Sequence, residues 1–416
     1  MSSNRVVFLH GPCTVRQPHT PLGCRRYAAA LGVPFVDVEL KAAALFFAGQ
    51  GPDISDNTRI ILSSHNYERT APLPELLALA DRMWEMGADI VKIAQTARDV
   101  TDSLNMLELL RKRKGPTISL AMGERGVITR ILAPKYGGFL TFGALGAGRE
   151  SAPGQPTVAQ LRDLYRLKSQ SPTTKVYGIV GNPVAQSKSP AIHNPSFQLR
   201  NFDGVYVPLL VDDFEGFLQQ FAAFDRDFFG FSVTIPHKEA ALRAARDLDP
   251  TCRSIGACNT LVRQPDGSFK GLNTDWLAAI DAIEQGLRAR DGKGLEGRRM
   301  VVLGAGGAGK ALVYGGLERG CSQVVLVNRT RDRAEALAEE VRASAGGAGS
   351  DRLSVASFED LAEGRLHGDV LANSTSVGMF PKEGVSPVPA AVAGGFQLVF
   401  DAIYNPRETQ LLKDAK

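Results

Sequence analysis

A lysine and a carboxylate, each closing its own polar cluster, are the residues of this chain best suited to moving a proton. Lys238 ends Ser232-Val-Thr-Ile-Pro-His-Lys238, and Asp275 ends Asn273-Thr-Asp275. A lysine near a carboxylate is held charged and can donate to a carbonyl oxygen. Two further clusters, Gly181-Asn-Pro-Val-Ala-Gln-Ser-Lys-Ser-Pro190 and Gly256-Ala-Cys-Asn-Thr260, also stand at predicted strand ends. Open α/β sheets bind ligands at the carboxyl ends of their strands, so this polarity suits a small polyhydroxylated substrate. Singly, Lys238 reads as a helix-start surface charge, and Ser187 and Ser189 as turn residues before Pro190. The joint pattern is what points to chemistry; His193 and His237 are read as structural.

A second chemistry is set out in Gly304-x-Gly306-x-x-Gly309, with Gly307 inside the same turn. It follows the apolar strand predicted at Arg299–Leu303 and precedes the helical stretch Lys310–Arg319. In that context the glycines allow a tight turn and close backbone approach to a pyrophosphate on the helix N-terminus. About 20 residues on, where an NAD site carries an acid, stands Asn328-Arg329-Thr330. An arginine there can grip a 2′-phosphate that a carboxylate would repel, so the expected cofactor is NADP. Arg333 is a possible assistant, read equally well as a solvated helix charge.

Earlier in the chain, Lys92 lies in Asp89-Ile-Val-Lys-Ile-Ala94 among apolar neighbours, where desolvation would free its amine for attack on a ketone. His65, in Ser63-Ser-His-Asn66, ends the preceding predicted strand and could serve as a general acid–base. Alone, a lysine in an apolar strand is usually a solvated edge residue.

Strands must present these side chains. From residue 33, β-branched runs at Val33–Leu40, Arg59–His65, Asp89–Gln95, Thr117–Met122 and Leu140–Leu145 alternate with helical stretches, among them Pro72–Met86 and Val158–Leu167. That alternation predicts a parallel sheet with crossover helices. The polar Ser169-Gln-Ser-Pro-Thr-Thr174 reads as a linker. A new α/β unit then runs through Lys175–Val180, Gly204–Val211 and Gly230–Ile235. Past the polar stretch Arg288–Gly297 come the glycine turn and the strand Gln323–Val327. The predicted domains are 1–168, 175–287 and 288–416, joined by the linker 169–174.

Composition excludes several classes. At 416 residues, 44% hydrophobic and 22% charged, the chain is globular and long enough for two or three domains. A net charge of +4 is too mild for a nucleic-acid partner, and no apolar run reaches membrane length. The five cysteines, Cys13, Cys24, Cys252, Cys258 and Cys321, are odd in number and never in a CxxC pair. They read as reduced thiols, with no metal site expected. Residues 1–36 lack any acid and carry Arg5, Arg16, Arg25 and Arg26, which resembles part of an organelle transit peptide and reads at least as well as an arbitrary start inside a longer gene.

The clusters from residue 175 to about 412, with Asn373-Ser-Thr-Ser-Val-Gly-Met379 and Asp401-Ala-Ile-Tyr404, closely resemble shikimate dehydrogenase. The resemblance implies NADPH-dependent reduction of 3-dehydroshikimate. Lys238 and Asp275 would be the catalytic pair, Ser187 and Ser189 would hold the substrate carboxylate, and Thr234, Asn259 and Asp275 would grip its hydroxyls, with Tyr404 near the substrate. Gly304, Gly306, Gly307, Gly309, Asn328, Arg329, Thr330, Asn373, Thr375, Gly378 and Met379 would contact the cofactor. Gln186 replaces the histidine of many relatives and Ser232 the asparagine of bacterial ones; neither change removes a charge the mechanism needs. Residues 33–168 resemble type I 3-dehydroquinate dehydratase, a (β/α)8 barrel with a Schiff-base lysine. Lys92 and His65 would be catalytic there, with Arg130, Ser151 and Gln155 on the substrate. The order of the two resembles the bifunctional enzymes of plants and algae, which implies a plastid.

The linker arrives too early for the roughly 250 residues of a whole barrel. The first domain is therefore expected to be an incomplete barrel, without the early Glu and Arg that orient the histidine and bind substrate in relatives. It is expected to be unstable, with dehydratase activity absent or weak. The carboxyl end is expected to lack a final strand and helix bearing a substrate-binding glutamine. Quinate dehydrogenase and a non-catalytic quinate or shikimate sensor are the alternative readings; the paired serines and the intact Lys238, Asp275 and glycine turn weigh against them.

Overall fold

The computed structural model describes residues 34–48, 57–146, 148–150, 154–224, 227–344 and 350–416. Ser151, Cys13, Cys24 and the amino-terminal arginines lie outside the described residues. The chain divides into two compact units, residues 1–179 with 187–228, and residues 180–186 with 229–416.

In the first unit, β1 (Phe35–Glu39), β2 (Arg59–Asn66), β3 (Ile90–Thr96) and β4 (Thr117–Met122) form a parallel sheet in chain order. The connections are helical: α1 (Leu40–Ala48), α2 (Leu73–Glu85) and α3 (Asp102–Arg111). α2 begins just after Pro72, has a proline in its first turn, and buries Leu76, Ala80 and Met83 at helical spacing. These residues join Val38, Leu62, Val91, Ile93 and Met106 in a core on one face of the sheet. Because side chains alternate along a strand, the other face carries Ile61, Ile90, Ala94, Ile118, Leu120 and Met122. On that face the register also sets Glu39, Ser63 and Lys92 in one row, with His65 two residues beyond Ser63.

Two predicted elements differ. Leu140–Leu145 is not a strand: it makes a single bridge, Ala144 to Thr157, so this sheet has four strands among the described residues. Val158–Leu167 is not a regular α-helix but a wide π-turn at Gln160–Leu164 followed by a 3₁₀ turn at Leu167–Ser169. Arg166, left-handed at φ 48°, separates them. The unit also contains α4 (Val127–Ile131), most of β5 (Lys175–Gly181), α5 (Ser189–Leu199), β6 (Gly204–Leu210) and α6 (Phe214–Phe224). Lys135 binds Asp227 at 2.6 Å and the Pro172 carbonyl at 2.8 Å.

In the second unit, β9 (Thr260–Arg263) pairs antiparallel with β7 (Phe228–Val233) and with β10 (Phe269–Leu272), which in turn pairs parallel with β8 (Asp247–Leu248). Three helices follow strand ends: α7 (Lys238–Ala244), α8 (Pro250–Ile255) and α9 (Asp275–Asp291). The rest is a parallel sheet of β11 (Arg299–Leu303), β12 (Gln323–Val327), β13 (Leu353–Ala356), β14 (Val370–Asn373) and β15 (Leu398–Asp401), ordered β13-β12-β11-β14-β15. Its crossovers include α10 (Gly307–Glu318), α11 (Arg331–Ser344) and α12 (Phe358–Ala362). The strand order reverses between β11 and β14, and a doubly wound sheet opens its ligand crevice at that switch point.

Candidate active site

The glycine turn lies at the switch point. Gly304 follows β11 with φ +103°, and a Cβ there would come within 2.7 Å of Ser374 Oγ. Gly309 packs the new helix against the turn, since a Cβ on it would fall 2.0 Å from the Gly304 carbonyl oxygen. Gly306 faces open space, with nothing within 4 Å of where a Cβ would stand. The helix starts at Gly307, three residues earlier than the pattern predicts, so its free N–H groups border the turn. Ser374 was not singled out from sequence; its hydroxyl donates to the Leu303 carbonyl at 2.6 Å and ties β14 to β11.

Beside this turn, Asn373 is fully buried. Its amide donates to Asp401 Oδ1 at 3.0 Å and its oxygen accepts from the Thr375 N–H and hydroxyl at 3.0 and 2.8 Å. Burial pushes the Asp401 carboxyl above its usual range, against the hydrogen bonds from Thr409, Ile403 and Asn373. Asn373→Ala should cost about 1–3 kcal/mol in urea unfolding, because it removes one donor from the Asp401 carboxylate and strands the Thr375 donors; a change within about 0.5 kcal/mol would contradict that role. Gly378 (φ +92°) turns the following loop, with Met379 half-buried after it. Past β12, Asn328 donates to the Thr330 carbonyl at 2.8 Å. The adjacent Arg329 is exposed and, among the described residues, has no hydrogen-bond or ion-pair partner.

Lys238 and Asp275 meet. The Lys238 ammonium donates to Asp275 Oδ2 in an ion pair, its side chain 16% exposed. Asn259 donates to Asp275 Oδ1 at 2.7 Å and to Thr274 Oγ1 at 2.9 Å, and accepts from Thr260 Oγ1 at 2.9 Å. Asp275 also begins α9, where the N-terminal dipole favours its charge. Lys238 begins α7 and leans on the glycine turn: a Cβ on Gly307 would lie 2.9 Å from Lys238 Cδ. The pair therefore borders the turn directly. Thr234 lies four residues before Lys238, its N–H bonded to the Val180 carbonyl at 2.9 Å, and Tyr404 is exposed past β15.

The first unit holds Ser187 and Ser189. Ser187 Oγ accepts the Ser189 N–H and lies 3.2 Å from Ser189 Oγ at the start of α5. His193 stacks on Tyr206 at 4.4 Å, and burial lowers its pKa.

The same unit sets His65, one of the predicted dehydratase residues, against an acid that the sequence reading missed. His65 Nδ1 lies 2.8 Å from Glu39 Oε2, which also accepts from Ser63 Oγ at 3.1 Å. Burial raises the Glu39 carboxyl, but bonds from His65 and Ser63 outweigh it and hold it below the usual glutamate value. A histidine-orienting glutamate is thus present, on β1. Its signal was the pair of acids in Phe35-Val-Asp-Val-Glu39, two apart and so on one face of a strand. The stabilisation from Glu39 is present above its unfolded value and fades as pH falls through the lower folded one. Glu39→Gln should therefore lower Tm at pH 7 and do so less at pH 4; an equal loss at both would contradict the pairing.

Lys92 corrects a second expectation. Its neighbours are not simply apolar: the ammonium pairs with Asp37 at 2.6 Å and lies 4.9 Å from the centre of the Phe142 ring. Arg130, buried, donates to the Phe142 carbonyl at 3.4 Å, and burial lowers its pKa to about 10. Gln155 is buried beyond a turn at Gly154 that packs on Gly123 and Glu124, just past β4. Among the described residues no cluster could hold a metal, no helix is long and apolar enough to cross a membrane, and Cys252, Cys258 and Cys321 are free and buried.

The doubly wound sheet, its glycine turn and the adjoining lysine–aspartate pair define a dinucleotide-binding α/β protein. Family models agree in detail: the shikimate dehydrogenase substrate-binding domain matches residues 179–261, shikimate/quinate 5-dehydrogenase residues 287–410, and type I 3-dehydroquinase residues 11–172. A shikimate dehydrogenase (NADP(+)) of Caldanaerobacter subterraneus is 40% identical over 59% of this chain and 83% of its own. The chain belongs to the shikimate dehydrogenase family. It is also 46% identical, over 94% of its length, to the chloroplastic bifunctional 3-dehydroquinate dehydratase/shikimate dehydrogenase of Arabidopsis thaliana, and spans 64% of that relative. A crystal structure of a shikimate dehydrogenase in complex with NADP+ superposes with TM-score 0.51 at 32% identity, covering 59% of this chain and 82% of the other.

Proposed function

We propose that this chain reduces 3-dehydroshikimate to shikimate with NADPH. The observation that carries the reading is the Lys238–Asp275 pair, gripped by Asn259 and set against Gly307 of the dinucleotide turn. The residues fit NADP: the turn has open room at Gly306, and Arg329 offers an unpaired guanidinium where an NAD site has an acid. Bound NADPH supplies the hydride that the ketone carbon accepts. Lys238, whose ammonium pairs with Asp275, donates its proton to the carbonyl oxygen as that oxygen gains charge. Asp275 and Asn259 hold the neighbouring hydroxyls with Thr234, and Tyr404 borders the substrate; in the first unit, the adjoining Ser187 and Ser189 hydroxyls suit a carboxylate. Asn328, Thr330, Thr375, Gly378 and Met379 line the cofactor side. Turnover of shikimate with NADP+ by the purified chain tests the reading, with quinate and NAD+ as comparisons.

A second activity, 3-dehydroquinate dehydration, is supported by the His65–Glu39 pair and by Lys92 on the same sheet face. Lys92 would condense with the ketone to an imine, releasing water, and His65 would move protons, with Arg130, Ser151 and Gln155 on the substrate. Attack on the ketone would have to break the Lys92–Asp37 ion pair, so this activity is expected to be weak. Borohydride in the presence of 3-dehydroquinate should add reduced substrate mass to only a small fraction of Lys92; stoichiometric labelling would contradict that. The domain limits 1–168, 175–287 and 288–416 remain our division of these functions. The chloroplastic Arabidopsis relative supports a plastid for this chain.

A further inference from the structure

Lys310 lies one turn into α10, beside the glycine turn, and its side chain is only 10% exposed. Its ammonium lies 2.9 Å from Glu340 Oε2 on α11 and 3.4 Å from Glu239 Oε1 on α7. Glu239 is the residue after the proton donor Lys238. One turn back on α10, Gly307 meets the aliphatic stem of Lys238. Two consecutive residues of α7 are thus docked on two positions of α10 three residues apart, which share a face. A third element closes the cluster: Gly256, left-handed at φ +68°, ends α8, and a Cβ there would stand 2.2 Å from Glu340 Oε1 and 3.4 Å from Lys310 Nζ. Without Lys310, two carboxylates would face each other where α7 meets the dinucleotide helix.

We propose that Lys310 is a positioning residue for the reaction: by bridging Glu239 and Glu340 it holds α7 against α10 and so sets where Lys238 stands relative to the dinucleotide turn. The inference rests on the dehydrogenase reading for its kinetic effect but not for its structural one. The Lys310 backbone N–H bonds the Gly306 carbonyl, but its ammonium reaches Glu239 and Glu340 and not Asp275, so the effect of its charge falls on proton donation rather than on cofactor affinity.

The test compares Lys310→Met, which keeps the stem and removes the charge, with Lys310→Arg and Glu239→Gln in the full chain. Lys310→Met should lower kcat for shikimate oxidation roughly 10- to 100-fold, as expected when a reacting group is misplaced. KM for shikimate and the Kd for NADPH, measured by fluorescence titration, should move less than about threefold. Glu239→Gln should act in the same direction, and Lys310→Arg should recover most of the rate. Hydrogen exchange without ligand supplies a readout independent of turnover: amides of 238–244 should exchange faster in Lys310→Met and return toward wild type in Lys310→Arg. Unchanged exchange in α7 would overturn the proposal, as would a loss confined to NADPH affinity. If the wild-type chain turns over no shikimate, the functional reading fails while the exchange comparison still decides this one. If Lys310→Met does not fold, Glu239→Gln carries both measurements.

Discussion

Lys238→Met should lower kcat for shikimate oxidation about 10²- to 10⁴-fold, the usual contribution of a general acid–base group. It should leave the Kd for NADPH within about threefold, because the ammonium makes its bonds to Asp275 and none to the turn. The choice of methionine follows from the structure. The Lys238 stem fills the space beside Gly307, so alanine would remove a proton donor and also open a gap against the dinucleotide helix. Methionine keeps the stem and isolates the charge. Asn259→Ala should give a smaller loss, since it frees one oxygen of Asp275 without removing the donor. Equal losses in turnover and in NADPH binding on Lys238→Met would sink the assignment of Lys238 as proton donor.

The second large effect concerns the choice of cofactor. Arg329→Ala should weaken NADPH about 10- to 100-fold, the worth of a charge-assisted pair of hydrogen bonds to phosphate, and leave NADH within about twofold. Arg329 is exposed and unpartnered among the described residues, so its removal strands no neighbour and the change reports on the ligand alone. Arg329→Asp should go further and favour NADH, by repelling the 2′-phosphate and accepting from a ribose hydroxyl. Titration of both nucleotides by fluorescence measures this directly. An unchanged ratio of the two affinities would remove Arg329 from the site.

Much of this is legible in the sequence. Buried parallel strands read as short β-branched runs, and β2, β4, β11 and β12 fall where those runs stand, within a residue at each end. The glycine turn was legible for a different reason: its residues answer to backbone geometry, which spacing alone records. The failures share a cause, namely that a pattern does not say what lies across from it. Leu140–Leu145 has strand composition, but it meets a partner only at Ala144, and a strand without a ladder is a loop. Lys92 sits in an apolar run, yet the sheet brings Asp37, two strands over on β1, within 2.6 Å from 55 residues away. Glu39 was passed over because its partner His65 lies on the next strand, and only the register joins them. Lys310 likewise reads as one more helix charge until α7, α8 and α11 are assembled around it.

The decisive measurement is the rate of shikimate oxidation by the purified chain with NADP+, followed by nucleotide absorbance, beside quinate and NAD+. Turnover with shikimate and NADP+, falling sharply with quinate or NAD+, is the predicted result. NADPH binding without turnover of shikimate would contradict it and leave a ligand sensor in place of an enzyme; faster turnover of quinate would make the chain a quinate dehydrogenase instead.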